Sequence, residues 1–138
     1  MKTNLKFNSA ICTSREQSER LLALGLKKET SDMHHYKWSE GYWDIQACPV
    51  RGSEPCYIPA WSLNRLIEMM PNNIRVYDSI ASLIVSNEKV QYYLHDVEYS
   101  DYLTSVGRWK SGDIYDNIIN CIQWLIAEGY FNKKYLED

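Results

Sequence analysis

Residues 80–96, IASLIVSNEKVQYYLHD, admit two readings, and the choice between them decides the fold. Ile80, Leu83 and Ile84 fit one face of a helix. Yet the run from Ile80 to Val85 is short and β-branched, and Asn87-Glu88 supplies a turn. Val90, Tyr92 and Leu94 then alternate with Gln91, Tyr93 and His95. Periodicity cannot settle so short an apolar run by itself. The β-branching and the alternation after the turn favour a β-hairpin.

A second hairpin is predicted upstream, in MHHYKWSEGYWDIQAC, residues 33–48. His34, Tyr36 and Trp38 alternate with His35 and Lys37, and Trp43, Ile45 and Ala47 alternate with Asp44 and Gln46. Ser39-Glu40-Gly41 carries turn chemistry between them. Three helices frame the hairpins. In TSREQSERLLALGL, residues 13–26, Thr13 or Ser14 can cap, with Glu16 or Gln17 three residues on, as a capping box requires. Gly25 reads as the left-handed C′ residue, with Leu26 folding back on Leu21. In CYIPAWSLNRLIEMMP, residues 56–71, the positions Leu63, Leu66, Ile67 and Met70 form one helical face and are expected to be buried. Ser62 can cap this helix, although Pro59 would suit an earlier start, and Met70 before Pro71 ends it. In the last helix Asp113 caps, and Ile114, Ile118, Cys121, Ile122 and Leu125 make a stripe widened by Ile119 and Ile126. Gly129 ends it, with Tyr130 placed to contact Leu125. A stripe that wide implies contact on more than one side. Residues 97–111 read as a short helix or a loop.

The order is therefore α-ββ-α-ββ-α, an α+β fold in which a small antiparallel sheet of two hairpins is covered by three helices. The 138 residues are expected to form one domain, 1–138, able to bury a core without disulfides or metal. The formal charge is −3, with acid and base interspersed and no concentrated basic face, so nucleic acid is not the expected partner. No stretch has signal-peptide character or the apolar length of a membrane span, which predicts a cytoplasmic protein with reduced thiols at Cys12, Cys48, Cys56 and Cys121.

Chemistry-bearing residues are sparse. His34, His35, Cys48 and Cys56 raise the question of zinc. Adjacent histidines in a strand point to opposite faces, however, and the cysteine spacing is not that of a zinc site. No metal and no cofactor are expected. Cys48 near His34 or His35 could form a thiol–imidazole pair, without a surrounding motif. Cys121 reads as a small core residue. No phosphate-binding loop or nucleophile elbow is present. No catalytic residue is assigned.

Aromatic content is the unusual feature: eleven Tyr, five Trp and two Phe. Tyr36, Trp38, Tyr42 and Trp43 crowd the first hairpin, and Tyr92, Tyr93, Tyr99, Tyr102 and Trp109 crowd the second hairpin and the stretch C-terminal to it. Such rings either pack under helices or anchor a partner. Tyr36, Trp38, Trp43 and Trp61 are the candidate binding residues, with Trp61 also read as a packing residue at a helix entrance.

Three segments together, ICTSREQSERLLALGL, IPAWSLNRLIEMMP and NIINCIQWLIAEGYF, resemble a group of small uncharacterised proteins of gut anaerobic bacteria, their phages and mobile elements. The PAWSL entrance to the middle helix is the most specific of the three. The last helix departs from that group, which has more acidic and alanine residues before Trp-Leu. The resemblance implies a habitat and a one-domain architecture and assigns no site. The leading expectation is a non-enzymatic interaction module of a phage or mobile element whose partner is another protein. The alternatives are a small-molecule or nucleotide-binding domain using the aromatic hairpin face, and a Cys-dependent enzyme.

Overall fold

The computed structural model describes residues 10–95 and 103–138. In it Ser79–Val85 (β5) and Val90–His95 (β6) pair antiparallel, with Leu83 opposite Tyr92 and Val85 opposite Val90. The connecting turn is held locally. The Ser86 amide donates to the Lys89 carbonyl, and the Ser86 hydroxyl accepts from the amides of Glu88 and Lys89. This hairpin is the centre of a larger sheet. Asn73–Val76 (β4) joins through the turn Tyr77-Asp78, and Leu103–Trp109 (β7) joins on the other side, in the order β4-β5-β6-β7.

The helix-or-loop expectation for residues 97–111 is thus corrected over 103–109, which is a strand. Residues 97–102, with Tyr99 and Tyr102, lie outside the described residues, as does the stretch 1–9. The strand is hard to read because it carries an irregularity. Tyr92 faces Gly107 while Tyr93 faces Ser105, so Val106 is an extra residue. A bulge of this kind breaks the period of two on which strand reading depends. Gly107 also carries the Trp109 ring across its bare Cα: a Cβ there would stand 2.5 Å from that ring.

The first hairpin forms as expected from Met33–Lys37 (β1) and Trp43–Gln46 (β2). It too gains a strand. Tyr57–Ala60 (β3) pairs with β1 on the side away from β2. Pro59 lies inside this strand and does not start a helix. A residue without an N–H fits an edge strand, where one row of amides has no ladder partner. The architecture is α+β with both hairpins present, but each is enlarged: one helix, three strands, a second helix, four strands and a third helix.

The helix ends follow their local chemistry. In Arg15–Ala23 (α1) Ser14 and Gln17 make the reciprocal capping box. Gly25 has φ 102°, and the amides of Gly25 and Leu26 donate to the carbonyls of Leu22 and Leu21, closing a Schellman motif. In Leu63–Met69 (α2) Ser62 caps through the Arg65 amide, and Met70 is extended ahead of Pro71. Leu66 and Met70 are buried as expected, but Leu63 and Ile67 are only half-buried, and Met69 is buried in their stead. Leu66, Met69 and Met70 stand at i, i+3 and i+4, so the buried face of α2 lies one position round from the predicted stripe. In Ile114–Ala127 (α3) Asp113 caps, and Tyr130 returns its amide to the Leu125 carbonyl.

α3 touches α1 on one side and strands β6 and β7 on the other, which accounts for its wide stripe. Ile118, Ile119, Ile122 and Leu125 are fully buried with Leu21, Leu66, Trp61 and Tyr92 in one core. The C-terminal stretch closes over α1: Lys27 donates to the Tyr135 carbonyl and Glu137 to the Gly25 carbonyl. No helix among the described residues is long and apolar enough to cross a membrane.

The core also predicts a pH response. Burial pushes the Cys121 thiol up to about 12, and burial with the nearby Asp32 carboxylate pushes Cys12 to about 11, from an ordinary value of 9.0. Burial likewise raises the Tyr92 phenol. Groups held protonated by the fold ionise first in the unfolded chain. Their contribution is therefore intact below pH 9 and declines as pH rises from about 9 toward 11–12. Urea midpoints should fall steadily across that window, and Cys121→Ala should flatten the decline. An unchanged slope in that variant would place the Cys121 thiol in water.

Candidate functional site: the aromatic hairpin

Alternation along β1 sends successive side chains to opposite faces of the three-stranded sheet. On one face lie Met33, His35 and Lys37. This face is covered by the segment ahead of α1: His35 Nε2–H donates to the Thr13 carbonyl at 2.8 Å, and Met33 packs with Cys12 and Ala60. Trp43 lies opposite Lys37, so it shares this face. Its ring has the Arg15 guanidinium 4.5 Å from the centroid and the Lys37 ammonium at 5.9 Å. Trp43 is therefore already held by two cations of its own chain.

The other face carries His34, Tyr36 and, just past the strand, Trp38. Tyr57 of β3 stands opposite Tyr36. The rings make a continuous row. His34 to Tyr57 is 5.7 Å, Tyr57 to Tyr36 is 5.1 Å, Tyr36 to Trp38 is 5.0 Å edge-on, and Trp38 to Tyr42 is 6.3 Å stacked. All of these separations lie in the range of favourable aromatic pairs. The row runs from a buried end at His34, 1% exposed, to an open end at Trp38 and Tyr42, 38% and 57% exposed. The turn fixes that open end. The Trp38 amide donates to the Tyr42 carbonyl and Gly41 to the Trp38 carbonyl, with Gly41 at φ 95°. A side chain at position 41 would strain this backbone.

Of the four candidate residues, the structure unites Tyr36 and Trp38 on one face, puts Trp43 on the opposite face and leaves Trp61 fully buried in the core. Trp61 Nε1–H donates to the Thr30 hydroxyl at 3.0 Å, so even its polar edge is turned inward. Tyr57 belongs to the row, yet sequence reasoning passes over it, because it sits ahead of the PAWSL segment. Its one signal is the alternation of Tyr57 with Pro59, masked by the helix after it.

Cys48 and His34 do approach each other. The thiol sulfur is 4.0 Å from His34 Nδ1, while Nδ1 is also 2.8 Å from the Cys48 carbonyl. A carbonyl only accepts, so Nδ1 carries the proton and has no lone pair to take one from the thiol. The basic nitrogen of the neutral ring is Nε2, which is buried without a hydrogen-bond partner. The thiol–imidazole pair is close, but it is not arranged for proton transfer. Among the described residues no group of three or more His, Cys, Asp or Glu side chains is placed to hold a metal ion.

A separate concavity lies away from the hairpin. About 670 Å³ opens between the starts of α2 and α3, walled by Ile11, Leu63, Ile114 and Tyr115, with Asn64 and Asn87 among its polar groups. None of the hairpin rings lines it. Comparison with protein-family models, curated proteins and solved structures finds no match for this chain.

Proposed function

We propose that the protein is a non-enzymatic interaction module that docks on another protein through the open end of its aromatic row, Tyr36, Trp38 and Tyr42. The observation that carries this reading is the stacked, exposed pair Trp38 and Tyr42 on a hydrogen-bonded turn. Rigid Trp and Tyr side chains lose little entropy on binding, bury large area and are the commonest interface hot spots. The resemblance to proteins of gut anaerobes and their mobile elements suggests a phage or mobile-element setting, acting in a host cytoplasm.

The test is capture from a gut-anaerobe lysate by immobilised protein, run in parallel with a Trp38→Ser/Tyr42→Ser double variant. The same protein should be retained by the parent and weakened roughly 30-fold or more on the variant, as losing about 2 kcal/mol of hot-spot energy requires. The variant should melt with the parent, because both side chains are exposed. Equal retention by both would remove the hairpin from the interface.

A second reading, a small-molecule-binding domain, has the concavity between α2 and α3 in its favour, since its volume lies in the range of ligand pockets. A metabolite screen should then raise the melting temperature with at least one compound, and Leu63→Asp should abolish that rise.

A further inference from the structure

The two edge strands of the four-stranded sheet, β4 and β7, each contribute a residue to one groove near the C-terminal end of α3. Val76 of β4 and Val106 of β7 line a single groove of about 390 Å³ with Tyr77, Trp124, Glu128 and Tyr130. The groove is aromatic at its base. Trp124 is half-buried, wedged against Tyr92 at 6.1 Å and Trp109 at 5.4 Å, with Tyr130 at 5.6 Å on the groove side.

Its electrostatics are one-sided. The groove sits at the C-terminal end of α3, where the helix dipole is negative. The last turn of α3 carries no basic residue to offset it, and the C-cap is the exposed Glu128. Arg75 and Arg108 are close in sequence, but they lie opposite Ile80 and Gln91, on the face of the sheet turned away from α3. The rim holds a further anomaly. Tyr77 has φ 56° and is 95% exposed. A bulky residue is disfavoured in the left-handed region that Gly or Asn occupies freely, and such outliers cluster at functional positions.

Two half-buried aromatic rings, a third ring at the rim, a carboxylate and a helix C-terminus all favour one kind of occupant. We propose that this groove binds the cationic head of a lysine side chain presented by a partner protein. The rings would supply cation–π attraction and replace part of the ammonium's water, while Glu128 would supply the counter-charge. This inference stands apart from the hairpin reading, because the two surfaces are on different sheets. Either can fail alone.

The test is NMR titration of the uniformly ¹⁵N-labelled protein. The indole N–H of Trp124 is assigned from Trp124→Phe. The probes are Nα-acetyl-lysine methylamide, its Nε-trimethyl derivative and the neutral isostere in which a tert-butyl group replaces the trimethylammonium. The two cations should shift the Trp124 indole saturably, and the neutral isostere should bind roughly tenfold more weakly. Glu128→Gln and Tyr77→Asn, both at exposed positions, should melt no lower than the parent and weaken the cations by roughly threefold each, as an exposed charge and one ring suggest. Equal affinity for the isostere, an unmoved Trp124 indole, or full cation binding in both variants would overturn the proposal.

Discussion

Trp61→Ala is expected to destabilise the protein by about 3–5 kcal/mol, the range for deleting a large aromatic side chain from a packed core. Trp61 is the largest fully buried side chain, at 0% exposure. Its removal leaves a cavity bounded by residues already held from several directions. The Trp61 amide donates to the Thr13 hydroxyl, and its carbonyl accepts from the Thr13 amide. The Thr13 hydroxyl in turn bonds that of Ser18 in α1. These bonds tie β3 and the start of α2 to the start of α1, so the walls cannot easily collapse into the gap. Trp61→Phe should cost less than Ala, because it keeps most of the apolar volume. It still forfeits the indole N–H bond to Thr30, worth about 1 kcal/mol. Urea unfolding of the three proteins measures both steps. A Trp61→Ala variant within about 1 kcal/mol of the parent would show that this ring is not core, and would restore it as a candidate for ligand contact.

Leu66→Ala is expected to cost about 2–5 kcal/mol. Leu66 is 0% exposed, whereas Leu63, one turn earlier, is half-buried at the edge of the concavity between α2 and α3. Leu63→Ala should therefore cost clearly less than Leu66→Ala, since the loss scales with the area and cavity removed. The comparison locates the buried side of α2. Equal losses in the two variants would mean that the helix faces the core along its Leu63 edge, and the packing of α2 on the core would be wrong.

Both experiments bear on the one place where the sequence is most specific and most ambiguous. The PAWSL stretch was legible as the entrance to a helix that stops at Pro71, because Ser62 and Pro71 each act within a few residues of themselves. It was not legible as a strand. Tyr57–Ala60 has no alternation long enough to count, contains a proline, and finds its partner in Met33–Tyr36, more than twenty residues earlier. β4 has only four residues. β7 hides behind Gly107 and the extra Val106. Strands of this kind exist because a neighbour offers hydrogen bonds to them, and the neighbour is remote in the chain.

The candidate site shows the same division. That the first hairpin is rich in rings could be counted, and its turn at Ser39-Glu40-Gly41 could be placed. That Trp43 falls on the opposite face from Tyr36 and Trp38 follows only from the register in which Lys37 meets Trp43. The groove beneath Tyr77 had no signal at all along the chain, since its walls come from β4, β7 and the end of α3.

Read alone, the chain determined its three helices, where each stops, and the turns of its two hairpins, because each depends on side chains reaching backbone groups a few positions away. It narrowed the first two caps to Thr13 or Ser14 and to Ser62 or a start at Pro59. Tertiary structure alone decided which strands were added to those hairpins, which rings face solvent and which are core, and where concave surfaces open. Those outcomes depend on pairing and packing between segments far apart in the chain, and local chemistry carries no record of which distant partner will arrive.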